Sequence, residues 1–263
     1  MLTHLSQRWN SGRDSYRPAG ETIQTRKYEV AEIELDRTAK RFVQRHHYSG
    51  SMPPARRRYG LYRGSELVGV AVFAVAQNYA TYRGLPGDRD TCLDLGRFVL
   101  LDDVPANGET WCLARCFDLL RRDGFVTVVS FSDPARRTNA SGVEVFGGHV
   151  GTIYQAHNAV YLGRSKPERK WMRPDGRVIP GRALTKIRQR RRGQRYAVQE
   201  LVELGAKPLG PDEDAHAWVE HWIPRLCRPL RHPGNHKYAW ALDRRDRRHM
   251  PRSLPFPKVL PDG

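Results

Sequence analysis

Apolar and polar positions along this chain recur with two periods, and the switches between them lay out its elements. Residues 28–33 (Tyr-Glu-Val-Ala-Glu-Ile) alternate like a half-buried strand. Asp36 then caps a helix whose apolar positions Ala39, Phe42 and Val43 fall at helical spacing, and the helix closes in His46, His47 and Tyr48. A glycine-containing turn at 63–65 joins the apolar runs 59–62 and 67–73 into a β-hairpin. Residues 92–101 predict a further strand. Pro105 to Thr110 read as a turn and cap for a helix from about Trp111 to Arg122, with Leu113, Cys116, Phe117 and Leu120 inward and Gly124 as its stop. Residues 125–130 (Phe-Val-Thr-Val-Val-Ser) are the most buried-looking strand. This order predicts an α/β (α+β) chain with a mixed central sheet flanked by helices. The division it suggests is a polar N-terminal arm at 1–27, a core at 28–163 and a basic extension at 164–263. One further helix is expected in the extension, near Gln194 to Leu204, and little core of its own.

Composition narrows the class. No apolar run approaches the roughly 20 residues that cross a bilayer, and Met1 to Gly20 has no apolar stretch of the secretory kind. A soluble, cytoplasmic protein is expected. Cys112 and Cys116 share a helical face, Cys92 and Cys227 stand alone, and no Cys-x-x-Cys pair exists, so reduced core thiols are expected rather than disulfides or structural zinc. The formal net charge is +17, from 45 Lys and Arg against 28 Asp and Glu, which points to a polyanionic partner. Much of the excess lies in the run 186–195 and in Arg244, Arg245, Arg247 and Arg248. The run lacks the Leu, Phe or Trp stripe of a membrane-surface helix. Lys186, Arg188, Arg190, Arg191, Arg192 and Arg195 are therefore candidate contacts to the phosphates of double-stranded DNA, with a solvated face or a localisation tract as the bland alternative.

Three polar clusters stand at the ends of apolar runs: 46–50 (His-His-Tyr-Ser-Gly), 130–134 (Ser-Phe-Ser-Asp-Pro) and 148–156 (Gly-His-Val-Gly-Thr-Ile-Tyr-Gln-Ala). His47 has the chemistry to shuttle a proton near neutrality, and Tyr48 to stack on a base withdrawn from a duplex. Asp133 is a candidate base, or an ordinary turn residue before a proline. His47, His149 and Asp133 together would make two imidazoles and one carboxylate, the ligand set of non-haem iron sites. Arg97 would face either the core or the site, and burial there requires an anionic partner such as a carboxylate or phosphate.

The element order, with a glycine-containing turn before the helix at Thr110, is similar to that of the GCN5-related N-acetyltransferases. The motifs at 47–50, 95–99 (Leu-Gly-Arg-Phe-Val), 107–110 (Asn-Gly-Glu-Thr), 132–134 and 148–163 resemble those of the phage Mom family. That family's proteins have an acetyltransferase-like fold and convert adenine in DNA to its N6-carbamoylmethyl form, protecting phage DNA from restriction. The resemblance is best from Tyr28 to Gly163 and continues more thinly to residues 236–243. It implies catalytic roles for His47, Tyr48, Asp133 and Tyr154, the last as proton donor to a leaving group. Substrate contacts are implied at Arg97, Ser132, His149 and Asn158. It also implies acetyl-CoA or a related acyl donor. The usual acetyltransferase phosphate loop is absent, so Asn107, Gly108, Glu109 and Thr110 at the helix N-terminus would hold the donor. The segment 136–146 is an insertion, read as a substrate-facing loop. Two other functions fit the same features: an acyl- or aminoacyltransferase acting on a small amine or another hypermodified DNA base, and a non-catalytic nucleic-acid-binding protein.

Overall fold

The computed structural model describes all residues except 1–4, 11–12, 19, 77 and 259–263. The chain forms two compact units. The first comprises Met1–Pro134, Gly148–Ser165 and Asn235–Asp262, and the second Ala135–Gly147 and Lys166–Gly234. In chain order the elements are β1 (Leu5–Asn10), β2 (Arg13–Pro18), β3 (Tyr28–Glu32), α1 (Asp36–His46), β4 (Ala55–Arg63), β5 (Glu66–Ala74), β6 (Cys92–Leu100), α2 (Gly108–Arg122) and β7 (Thr127–Ser132). There follow β8 (Arg137–Thr138), β9 (Glu144–Phe146), α3 (Thr152–Ala156), β10 (Val160–Arg164), β11 (Glu168–Met172), β12 (Val178–Ile179), α4 (Gly181–Arg188), α5 (Gln194–Glu203), α6 (Ala215–Leu226), β13 (Arg228–His232) and β14 (His236–Ala241).

The first unit is built on a seven-stranded mixed sheet of order β10-β14-β7-β6-β5-β4-β3, in which only β6 and β7 run parallel, with α2 as their crossover. Helix α2 buries Leu113, Cys116, Phe117 and Leu120 against Leu93, Leu95, Phe98 and Leu100 of β6. On the other face, Ala39 and Val43 of α1 cover Val70 and Val72 of β5, while Tyr82 and Leu85 pack with Cys92, Val129 and Ala239. All four cysteines are buried and free. No helix among the described residues is long and apolar enough to cross a membrane.

Several boundaries differ from the periodicity. Helix α2 begins at Gly108, a turn earlier than Trp111, and β7 runs two residues later than 125–130. Asp36 is the first residue of α1 rather than its cap, and its carboxylate accepts from Arg58 at 3.2 Å. The N-terminal arm contains the antiparallel pair β1–β2, from which Arg8 reaches Glu109 of α2 in a buried ion pair of 2.5 Å.

The expectation of little core beyond Gly163 is corrected. The second unit packs Ile179, Ala183, Leu184, Ile187, Ala197, Leu201, Trp218, Val219 and Ile223 into a cluster of its own, beside the three-stranded sheet β12-β11-β13. Strand β14, also beyond Gly163, belongs to the first unit and pairs with β7 from His236↔Ser132 to Ala241↔Thr127.

Candidate active site

Strands β6 and β7 pair at Cys92↔Thr127, Leu93↔Val128 and Asp94↔Val129, and the ladder stops there. Past it, the Ser130 hydroxyl donates to the Leu95 carbonyl at 3.0 Å. A cavity of about 70 Å³ lies beyond this last rung, between Leu95–Phe98 of β6 and Phe131 of β7. His47 and Tyr48 after α1 line it, as do His149 and the Gly151–Tyr154 segment. The structure therefore brings five expected site residues, His47, Tyr48, Arg97, His149 and Tyr154, together from three separate stretches of chain.

Each is fixed by local structure. His47 follows the last residue of α1, and its backbone N–H donates to the Val43 carbonyl at 2.9 Å. Its Nδ1 accepts from the Ser49 backbone N–H at 3.1 Å and lies 2.9 Å from the Ser49 hydroxyl. Burial, then the neighbouring Arg97 and His149, push its pKa well below the ordinary histidine value, so the ring is neutral with its proton on Nε2. Tyr48 stacks on His47 with ring centres 4.3 Å apart and meets the His149 ring edge-on at 6.1 Å. The β5–β6 register shifts between Val72↔Arg97 and Phe73↔Leu95, placing a bulge at Gly96. Arg97 is satisfied by carbonyl and hydroxyl oxygens rather than by the expected carboxylate or phosphate: it donates to Ser51 O at 2.6 Å, to Ser51 Oγ at 2.9 Å and to Gly96 O. It thereby ties the segment after Tyr48 to β6.

Tyr154 is placed by Gly151, the N-cap of α3, whose φ of +77° favours glycine; a Cβ there would also lie 2.7 Å from the Tyr238 ring. The Tyr154 ring meets Trp240 edge-on at 5.5 Å. Burial raises its pKa and a hydrogen bond with Ser130 opposes the rise, so the phenol stays protonated at neutral pH.

One residue of consequence was not singled out in the sequence. Asp94, on the last paired rung of β6, is pushed by burial up to about 7, with Arg97 pulling the other way, and Tyr154 lies within the field of both. A half-buried carboxyl that titrates near neutrality is suited to accepting a proton. A carboxylate three residues before Arg97 in a strand otherwise made of apolar residues and one glycine was the available signal.

The remaining expected residues lie elsewhere. Asp133 and Ser132 are not among the cavity's lining residues; the Asp133 carbonyl accepts from the His149 N–H at 2.9 Å, and Ser132 is fully buried opposite His236. Asn158, with φ +58°, lines a separate groove of about 560 Å³ together with Asn107 and Thr110. The three-ligand iron set is corrected. Among the described residues no three His, Cys, Asp or Glu side chains stand together as metal ligands, and His47 Nδ1 is occupied by Ser49, which leaves its other ring nitrogen protonated. The donor-phosphate reading of the α2 N-terminus is corrected as well. Asn107 Oδ1 accepts from Ile23 N at 2.7 Å, and a Cβ on Gly108 would lie 2.6 Å from Val104. The Thr110 hydroxyl donates to Asn107 O at 3.0 Å. Glu109 already supplies the negative charge a helix N-terminus favours, and is clamped by Arg8. This end of α2 does not fit a pyrophosphate.

Lys186, Arg188, Arg190, Arg191, Arg192 and Arg195 all belong to the second unit, on α4, α5 and the turn joining them. The insertion 136–146 supplies β8 and β9, also of the second unit.

No curated protein matches the chain. Among solved structures it is similar to a tandem GNAT protein from the clavulanic acid biosynthesis pathway, solved without AcCoA, at 8% identity and a TM-score of 0.42 over 82% of this chain and 99% of that one. The model of the Mom protein family matches residues 27–258, which span the whole sheet from β3 to β14 and every residue lining the cavity. The chain belongs to the Mom protein family.

Proposed function

We propose that this chain is a transferase that modifies the exocyclic N6 amine of adenine in DNA, by carbamoylmethylation of the kind the family resemblance implies, and so shields phage DNA from restriction. The observation that carries the reading is the gathering of His47, Tyr48, Arg97, His149 and Tyr154 at the β6–β7 divergence; Asp94, adjacent in sequence to the cavity-lining Leu95, is pushed by burial up to about 7. The N6 lone pair of adenine is delocalised into the ring, so attack requires a proton acceptor and an activated donor. Like Asp133, Asp94 is not itself in the lining; its carboxyl, pushed up by burial, is assigned as acceptor in place of the expected Asp133, taking the N6 proton as nitrogen bonds to the donor's electrophilic carbon. The phenol of Tyr154, kept protonated by burial, delivers a proton to the departing group. Arg97 holds a fixed positive charge beside the cavity where negative charge accumulates. Tyr48 offers a ring face to a base turned out of the stack. For a carbamoylmethyl product the electrophilic carbon is the methylene of an acetamide unit that carries the leaving group, so the N–C bond forms there as the bond to the leaving group breaks. The α2 N-terminus does not support binding such a donor through a pyrophosphate. The test is mass spectrometry of nucleosides from the DNA of expressing cells. A deoxyadenosine derivative heavier than its parent is expected, and unmodified nucleosides beside abundant folded protein contradict the reading.

A further inference from the structure

The second unit folds the basic run into a helix, a turn and a helix: α4, residues 189–193, and α5. Ala183, Leu184 and Ile187 of α4 and Ala197 and Leu201 of α5 are buried with Trp218, Val219 and Ile223 of α6, so the basic positions are forced outward. Their side chains then divide into two kinds. Arg188 donates to Glu220 at 2.7 Å, and Arg190 donates to the carbonyls of Gly210, at 3.0 Å, and Glu213. Lys186 rests over the Tyr196 ring, 5.1 Å from its centre. These three hold the unit together. Arg191, Arg192 and Arg195, with Arg182 at the start of α4, are exposed and make no side-chain hydrogen bond or ion pair among the described residues.

Four exposed guanidinium groups on one short helix–turn–helix concentrate permanent positive charge at the surface, a field that draws in a polyanion. We propose that the α4–α5 turn is the surface that grips duplex DNA, with Arg191, Arg192 and Arg195 on backbone phosphates and the half-exposed Tyr196 beside them. This rests on the reading of the chain as a DNA-modifying protein. Besides the arginines, the exposed positions of α4, the turn and α5 are Gly181, Gln189, Gly193, Gln199 and, at the far end of α5, Glu203, with Tyr196 as the one large apolar side chain exposed there. That pattern lacks the apolar face a membrane surface requires and suits a guanidinium–phosphate interface. Within one run, then, Arg188 and Arg190 are structural, and their neighbours bind.

The experiment is the salt dependence of binding, by fluorescence anisotropy, of the full chain to a labelled DNA duplex. Each phosphate contact contributes about 0.9 to the slope of log affinity against log salt. Replacing Arg191, Arg192 and Arg195 together with Gln should flatten the slope by about 2 to 3 and weaken binding more than about tenfold at moderate salt. Arg191→Gln and Arg192→Gln alone, both in the exposed turn, should each flatten it by about 1, which keeps the test valid should the triple variant misfold. Arg190→Gln should instead lower the thermal midpoint. An unchanged slope in the triple and single variants, with the wild type binding duplex normally, overturns this surface and leaves the DNA reading standing. A wild type with no salt-dependent affinity for duplex overturns both. Binding to phosphatidylserine vesicles but not duplex, lost in the triple variant, overturns the choice of partner.

Discussion

The cleft at the β6–β7 divergence and the α4–α5 turn both concentrate cationic and aromatic side chains, yet they handle charge in opposite ways. In and next to the cleft, burial pushes groups toward their neutral forms: of the lining residues, His47 falls well below its ordinary value and Tyr154 rises, and Asp94, one residue before the lining, rises to about 7. At the turn Arg191, Arg192 and Arg195 stand in solvent, while Arg188 and Arg190 are tied to Glu220 and to backbone carbonyls. The comparison separates chemistry from grip. A proton-transfer site needs groups whose charge is undecided near neutral pH, whereas a phosphate surface needs permanent charge that remains accessible.

Loss of proton transfer gives the largest effect expected from this contrast. Tyr154→Phe should reduce modified nucleoside by about 10²- to 10⁴-fold with little change in thermal midpoint, since the ring packing against Trp240 is retained. Because Asp94 must be ionised to accept a proton, the rate should rise with pH and level off above about 7. The sign on stability is opposite. A carboxyl raised in the folded state is favoured protonated, so the Asp94 contribution weakens as pH rises from the ordinary carboxylate range through about 7. Asp94→Asn should therefore be inactive yet no less heat-stable than wild type at pH 8. A parallel loss of activity and stability would mark both as core residues.

Next in size are the two structural anchors. Trp218→Ala removes the largest side chain of the second core, which also donates to Lys207 O at 3.1 Å, and should cost about 3–5 kcal/mol. Hydrogen exchange should accelerate in α4 to α6 while β5 to β7 remain protected; equal acceleration in both would mean that the two cores are not separate. Glu109→Ala strands the Arg8 guanidinium in a site where the two side chains are 1% and 4% exposed, and should cost about 3–5 kcal/mol in urea unfolding. Should Glu109 instead hold a donor, the variant would lose activity with unchanged stability.

The smallest effect concerns His47. Its folded pKa lies below that of the unfolded chain, so its contribution is present above about pH 6.5 and is lost as pH falls below that toward the depressed folded value. Its imidazole resonances should hold the neutral position at pH 6, and His47→Gln should shallow the acid limb of the stability curve. A ring that titrates near 6.5 would contradict the closed environment set by Arg97 and Ser49.

Much of the cleft was legible because His47, Tyr48, His149 and Tyr154 stand at the ends of apolar runs, and such runs end where a sheet turns its side chains toward a site. Asp94 was not, since a polar residue inside an alternating strand reads as a solvent-facing position until the neighbouring strand is known to cover it. Strand β14 joins β7 across a separation of about a hundred residues, which no local period encodes. The second core escaped because the apolar positions of α4, Ala183, Leu184 and Ile187, are interleaved with arginine and lysine that dominate the composition. The Arg8–Glu109 pair, 101 residues apart, turned an apparent phosphate site into a buried ion pair.

The central claim is that the cleft at the β6–β7 divergence carries out base modification, and the most direct measurement is modified deoxyadenosine per unit of DNA. It is taken side by side from cells expressing wild type, Asp94→Asn and Asn158→Ala, with folding of each confirmed by thermal melting. The account predicts a heavier deoxyadenosine with the wild type and with Asn158→Ala, whose residue lines the separate groove, and none with Asp94→Asn. Full modification by the Asp94 variant would remove Asp94 from the chemistry, and loss only in the Asn158 variant would place the chemistry outside this cleft.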